Sequence, residues 1–264
     1  GDYGILITKM KTADVEASRN TFLDNGVNVI SDIVNAPNGV RHFFAEDPYG
    51  NIFQFVEEEN TFKRVRLFNN GGVYGAVIGV SDINKALPVY KEVLGYDTIV
   101  YDQNDQFYDL RSLNGSSGKF RRILLKHSQP RKGSFSRLLG PTQIELVQAI
   151  EAERKPIFEN RMWGDCGFIH LCYDIKMMDN LRETAKLKGF PFTVDSSSTF
   201  DMGEAAGHFS YIEDPDGTLI EFVETYKIPV VKKIGWYINL KRRKPEKPLP
   251  NWILRSLKYS RVKG

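Results

Sequence analysis

Glu221 needs explaining before anything else in this chain. It lies in YIEDPDGTLIEFVE, residues 211–224, on a run that alternates: Thr218, Ile220 and Phe222 on one face, Leu219, Glu221 and Val223 on the other. A carboxylate placed mid-strand among apolar neighbours is costly to bury unless it is paired or bound to a metal. Glu145, between Ile144 and Leu146 in GPTQIELVQ, has the same setting, and His170 is central in the strand-like run FIHLCYDI at 168–175. One imidazole and two carboxylates suit a divalent ion such as Zn, Mn, Fe, Co or Ni, with positions left for substrate oxygens. The plainer alternative is that all three line a wet pocket.

The elements that must hold these residues repeat. The turn Asp214–Gly217 has Pro where φ must be near −65° and Gly where φ is positive, and it joins two strands. A near-copy stands at Asp47–Gly50 within FFAEDPYGNIFQFVEEE, with Gln54 in the place of Glu221. A weaker third copy is residues 140–148, with Glu145 in that place. Each copy is preceded by a strand (Gly4–Met10, Tyr74–Val80, Phe168–Ile175) and then by a helix closed by Gly26, Gly95 or Gly189. Asp82 is the expected N-cap of the middle helix, whose apolar stripe is interrupted by Pro88. The expected class is therefore α+β: a βαβββ module three times over, at 1–59, 72–150 and 166–226, followed by an arm at 227–264. From Gly75 to Glu145 is 70 residues, against 51 from His170 to Glu221, so the middle module carries about 19 extra residues. They are placed in the polar loops 102–118 and 127–140, where they would gate a site.

Three βαβββ modules, each closing on a turn of this kind and a strand with a central acid or amide, resemble the vicinal oxygen chelate superfamily of glyoxalases, bleomycin-resistance proteins and extradiol dioxygenases. The resemblance implies curved mixed sheets that pair into cups, with metal ligands on the first and last strands of two paired modules. Carried onto the second and third modules, those positions are Gly75, Glu145, His170 and Glu221. It implies Glu145, His170 and Glu221 as metal ligands and Glu145 and Glu221 as catalytic carboxylates; Cys172, on the same strand face as His170, and His208 and Tyr211 are further candidates for lining the substrate pocket. Gly75 has no side chain to ligate with. The fit is best to a metal-dependent isomerase or lyase of the glyoxalase or epimerase type, acting on a small oxygenated substrate. A metal-free binding protein of the bleomycin-resistance type is the alternative. An extradiol dioxygenase ranks third, since it needs two His and one carboxylate. Three modules leave one unpaired. The expectation is that the second pairs with the third and that a partner for the first precedes Gly1; the alternative is pairing across a homo-oligomer interface.

Bulk properties limit the remaining classes. The chain of 264 residues has 41% hydrophobic and 12% aromatic residues, as a globular protein does. Two cysteines six residues apart, Cys166 and Cys172, form neither a disulfide framework nor a zinc knuckle, and a cytoplasmic setting is expected. The formal charge of +3 conceals an acidic body and a basic tail: residues 227–264 hold 12 Lys and Arg and a single acid, Glu246. Nucleic acid is therefore not an expected partner of the body. The arm is expected to pack on the body or on a neighbouring subunit, with a membrane surface the weaker expectation.

Overall fold

The computed structural model describes residues 2–62, 69–152, 154–196, 207–231 and 235–256. The first module runs β1 (Gly4–Thr12), α1 (Val15–Asp24), β2 (Asn28–Val29), β3 (Val34–Asn35), β4 (Arg41–Glu46) and β5 (Ile52–Glu57). The second runs β6 (Asn70–Gly79), α2 (Ile83–Pro88), β7 (Thr98–Asp105), β8 (Phe120–Lys126), α3 (Ser136–Leu139) and β9 (Gln143–Ala149). The third has β10 (His170–Asp174), α4 (Met178–Leu187), β11 (Val194–Asp195), β12 (Gly207–Glu213) and β13 (Leu219–Thr225). The arm adds β14 (Lys227–Val231), β15 (Trp236–Asn239) and α5 (Asn251–Ser256). No helix among the described residues is long and apolar enough to cross a membrane.

Helix starts follow the local chemistry. Asp14 caps α1 by accepting from the Ala17 amide at 2.9 Å, and Asp82 caps α2 by accepting from Asn84 at 2.8 Å. Pro88 ends the α-helical part of the middle helix, which continues as a π-helical turn over Val89–Val93. The repeated turns are built alike. Asp47 accepts from the amides of Tyr49 and Asn51, with Gly50 at φ +84°; Asp214 accepts from Asp216 and Thr218, with Gly217 at φ +83°.

Two compact units result. One comprises residues 1–129, 140–169 and 214–218, the other 130–139, 170–213 and 219–264. In the first unit a nine-stranded sheet runs in the order β2-β4-β5-β1-β6-β9-β8-β7, with β3 also on β4. Strand β1 lies antiparallel to β6, with Lys9 opposite Gly75. This reassigns the module pairing expected from the sequence. The hydrogen-bonded partner of the second module is the first, and the third module has its own four-stranded sheet, β10-β13-β12-β11. The sequence repeat showed that modules recur but not which edges meet, because edge pairing depends on backbone groups every strand possesses.

Period-two alternation sorts the sheet of the first unit into two faces. On one, Phe43, Ala45 and Phe55 pack with Val15 and Phe22 of α1. The other gathers Ile7, Phe44, Val77, Phe120 and Val147, together with Phe107 and Leu110 from the long loop of the second module. Each such apolar side chain, fully buried, contributes roughly 1.5–3 kcal/mol. The polar residues of the site continue this second face.

Candidate functional site

On β1 the buried series Ile5, Ile7 is continued by Lys9 and Lys11, so the strand turns two ammonium groups inward. Lys9 Nζ lies 2.5 Å from Glu145 Oε2 on β9. The other carboxylate oxygen, Oε1, accepts from the Tyr101 hydroxyl at 2.8 Å and from Arg122 Nε at 2.6 Å. Arg122 also donates through Nη1 to both oxygens of Asp109, at 2.8 and 3.0 Å. Asp109 sits in the 3-10 turn Tyr108–Leu110, inside the inserted loop. The insertion contributes to the core: its Phe107 and Leu110 pack with Ile7, Phe44 and Val147, and its Asp109 is buried against Arg122.

The electrostatics follow from burial and pairing. Burial raises the Glu145 carboxyl, but Arg122 and Lys9 outweigh it and hold the group well below the usual carboxylate range. Burial lowers Lys9, against the attraction of Glu145. Asp109 is raised by burial against Arg122. The four charges, two of each sign, balance. Beside them lies a cavity of about 90 Å³ whose lining includes Lys9, His42, Gln54, Tyr74, Tyr101 and Gln143. His42 is fully buried and pushed down to about 4, first by burial and then by Lys9, so it is neutral at pH 7. Its Nε2 is 3.8 Å from Asp109.

Glu145, expected as a metal ligand, is matched in this structure by an ammonium and a guanidinium. Among the described residues no group of three or more His, Cys, Asp or Glu side chains is placed to hold a metal ion. Gly75 also has a reason of its own. With φ at +153°, a Cβ there would stand 1.7 Å from the Gln143 carbonyl oxygen of β9, so the position is fixed by close backbone approach.

The third module brings most of its expected residues together. His170 Nε2 lies 3.1 Å from Glu221 Oε2, across the parallel β10–β13 pair. Cys172 is in register with Glu221 on β10, Tyr211 is opposite it on β12, and both side chains hydrogen-bond to its carboxylate. Burial, and then Glu221, push the Tyr211 phenol up to about 12, so it stays protonated at neutral pH. The Tyr211 ring meets the His170 ring edge-on at 5.7 Å. These side chains are half-buried or, for Cys172, exposed, while Ile212, Ile220 and Phe222 are buried on the opposite face. His208 belongs to that opposite face. It is buried, with Nε2 2.5 Å from Asp195 Oδ1, and does not join Tyr211. Three residues apart on one strand, the two had to point opposite ways.

Lys9, Tyr101, Asp109 and Arg122 escaped the sequence reading. The signal present for two of them was a cation continuing an apolar alternation: Lys9 after Ile5 and Ile7, and Arg122 between Phe120 and Leu124.

The model of the Glyoxalase/Bleomycin resistance protein/Dioxygenase superfamily matches residues 76–210. Among solved structures, glyoxalase I from Zea mays aligns at 13% identity with a TM-score of 0.53, covering 85% of this chain and 68% of that one. A point mutant of the same maize enzyme gives 14% and 0.55, with the same coverage. A protein from Bacillus subtilis, provisionally named a dioxygenase, gives 12% and 0.52, covering 85% of this chain and 63% of that one. At such identities the likeness is one of fold. A search of curated proteins found no significant match.

Proposed function

Because the chain belongs to the Glyoxalase/Bleomycin resistance protein/Dioxygenase superfamily, we propose that it is an enzyme of the isomerase or lyase type, moving a proton on a small oxygenated substrate at the His170–Glu221 face of the third module. The observation that carries this reading is the 3.1 Å contact between His170 and Glu221, with Tyr211 and Cys172 on the same carboxylate. A carboxylate oriented by an imidazole is the arrangement a general base needs. Glu221 takes the proton next to a substrate carbonyl. Tyr211, protonated at neutral pH, donates to the Glu221 carboxylate and with His170 holds it in the orientation for that transfer.

A metal of the kind the resemblance implies finds two donors here, His170 and Glu221, and not the expected three, since Glu145 is committed to Lys9 and Arg122. No step above is routed through such an ion. Metal content of protein purified without chelator, compared between wild type and His170→Ala, tests that separately.

The test of the reaction is proton exchange in D2O, followed by proton NMR on a panel of 2-hydroxy aldehydes and 2-oxo acids. The wild type should exchange the proton next to the carbonyl of at least one compound, and Glu221→Gln should lose about 100-fold or more. Exchange no faster than buffer across the panel, or undiminished in Glu221→Gln, ends the reading.

A further inference from the structure

The cavity in the first cup carries its own unused polar groups. Gln54 is 2% exposed, and its carbonyl oxygen has no hydrogen-bond partner. The ring nitrogens of the buried His42 make only weak contacts, with the Val40 backbone and, at 3.8 Å, with Asp109. An ammonium has three protons, and one of those on Lys9 goes to Glu145. Buried polar atoms are expected to be satisfied, and leaving one bare costs roughly 1–3 kcal/mol. Unmet acceptors and donors therefore converge on one space of about 90 Å³, lined by Lys9, His42 and Gln54. They lie on three different strands, β1, β4 and β5, held in register as Lys9↔Gln54 and Phe44↔Gln54.

The occupant's chemistry can be read from these groups. Gln54 Oε1 accepts, so it calls for a hydroxyl or N–H. The spare Lys9 protons call for an oxygen acceptor. The neutral His42 ring supplies one donor and one acceptor. The charges around the cavity are matched among themselves: Lys9 and Arg122 face Glu145 and Asp109, Glu57 pairs with Arg41, and Glu58 and Lys126, which also line it, are of opposite sign, so an uncharged occupant disturbs the balance least. We infer that the first cup is a metal-independent binding site for a small uncharged hydroxy-carbonyl compound, its carbonyl oxygen on the Lys9 ammonium and its hydroxyl on Gln54. Lys9 thereby does the orienting that an ion would otherwise do, in a cup separate from the His170–Glu221 face.

Hydroxyacetone is a probe of the right size and chemistry, with acetone as the analogue lacking the hydroxyl. Titration of the isotopically labelled full chain, followed by NMR on the Gln54 side-chain amide and the His42 ring, should give a saturable shift with hydroxyacetone. Acetone should bind at least about tenfold more weakly, and so should hydroxyacetone to Gln54→Met. Glu221→Gln should leave the titration unchanged, which separates this site from the third module. An absent or non-saturating shift means that the cavity holds solvent only and overturns the proposal. Equal affinity for acetone and hydroxyacetone on the wild type overturns it as well, and that arm needs no variant to fold.

Discussion

Lys9 and Glu145 are 136 residues apart in the chain and 2.5 Å apart in space, both almost wholly buried. Taking two charges out of water costs several kcal/mol per ion, and close pairing with further hydrogen bonds offsets it. Removing one partner strands the other. Lys9→Met alone, or Glu145→Gln alone, should therefore cost about 3–5 kcal/mol in urea unfolding at pH 7. The double variant should cost less than the sum of the two singles. Strict additivity would show that the pair is not coupled.

His42 predicts an acid sensitivity of definite sign. Its folded pKa is about 4 against an ordinary 6.5, lowered by burial and then by Lys9. Between those values the unfolded chain binds a proton that the folded chain does not, so stability falls as pH drops from about 6.5 towards 4. A shift of this size corresponds to about 3 kcal/mol. The depressed Glu145 acts in the same direction below its unfolded value, since its stabilisation is lost as the carboxylate protonates. Unfolding free energy measured across this range should slope for the wild type and flatten between pH 6.5 and 4 for His42→Leu. An equal slope in both would refute the assignment.

Gly75 should resist every replacement, including the one that would restore a ligand. A Cβ there meets the Gln143 carbonyl at 1.7 Å, on a backbone at φ +153°. Gly75→Ala should cost roughly 3 kcal/mol or more, because strand β9 must move. Gly75→His should unfold the first unit, not create a metal centre. Thermal melting of both variants, with and without added Zn²⁺, decides this: a folded, zinc-stabilised Gly75→His would contradict it.

On the third module, Tyr211→Phe should reduce proton exchange about tenfold while leaving the fold intact, because it removes one hydrogen bond at the Glu221 carboxylate. Cys172→Ser keeps a donor at the same place and should change the rate little. If Cys172→Ser abolishes exchange and Tyr211→Phe does not, the thiol and not the phenol carries the step.

Which parts of this were legible in the sequence follows from how far each signal reaches. The repeated Asp-Pro turns and the alternating strands are local signals, and so are the Asp82 helix cap and the strands that carry His170 and Glu221. The partner of Glu145 is not local. The sequence pattern groups Glu145 with metal donors, while the cation that neutralises it lies in GILITKM, itself a strand. Reading every charged residue on an apolar face, whichever its sign, would have exposed Lys9 beside Glu145. Sheet edges leave no such trace, so the β1–β6 junction had to come from the structure.

The contact between Asp109 and Arg122 also bears on how such a chain can change. The inserted loop brings an acid into the cup and strand β8 supplies the base that receives it. Shortening the loop to the length found in the third module would leave Lys9 and Arg122 to share the one carboxylate of Glu145, and replacing Arg122 alone would leave the loop's carboxylate without its cation. In a lineage of such chains the insertion and residue 122 should be inherited as one package, gained together and lost together.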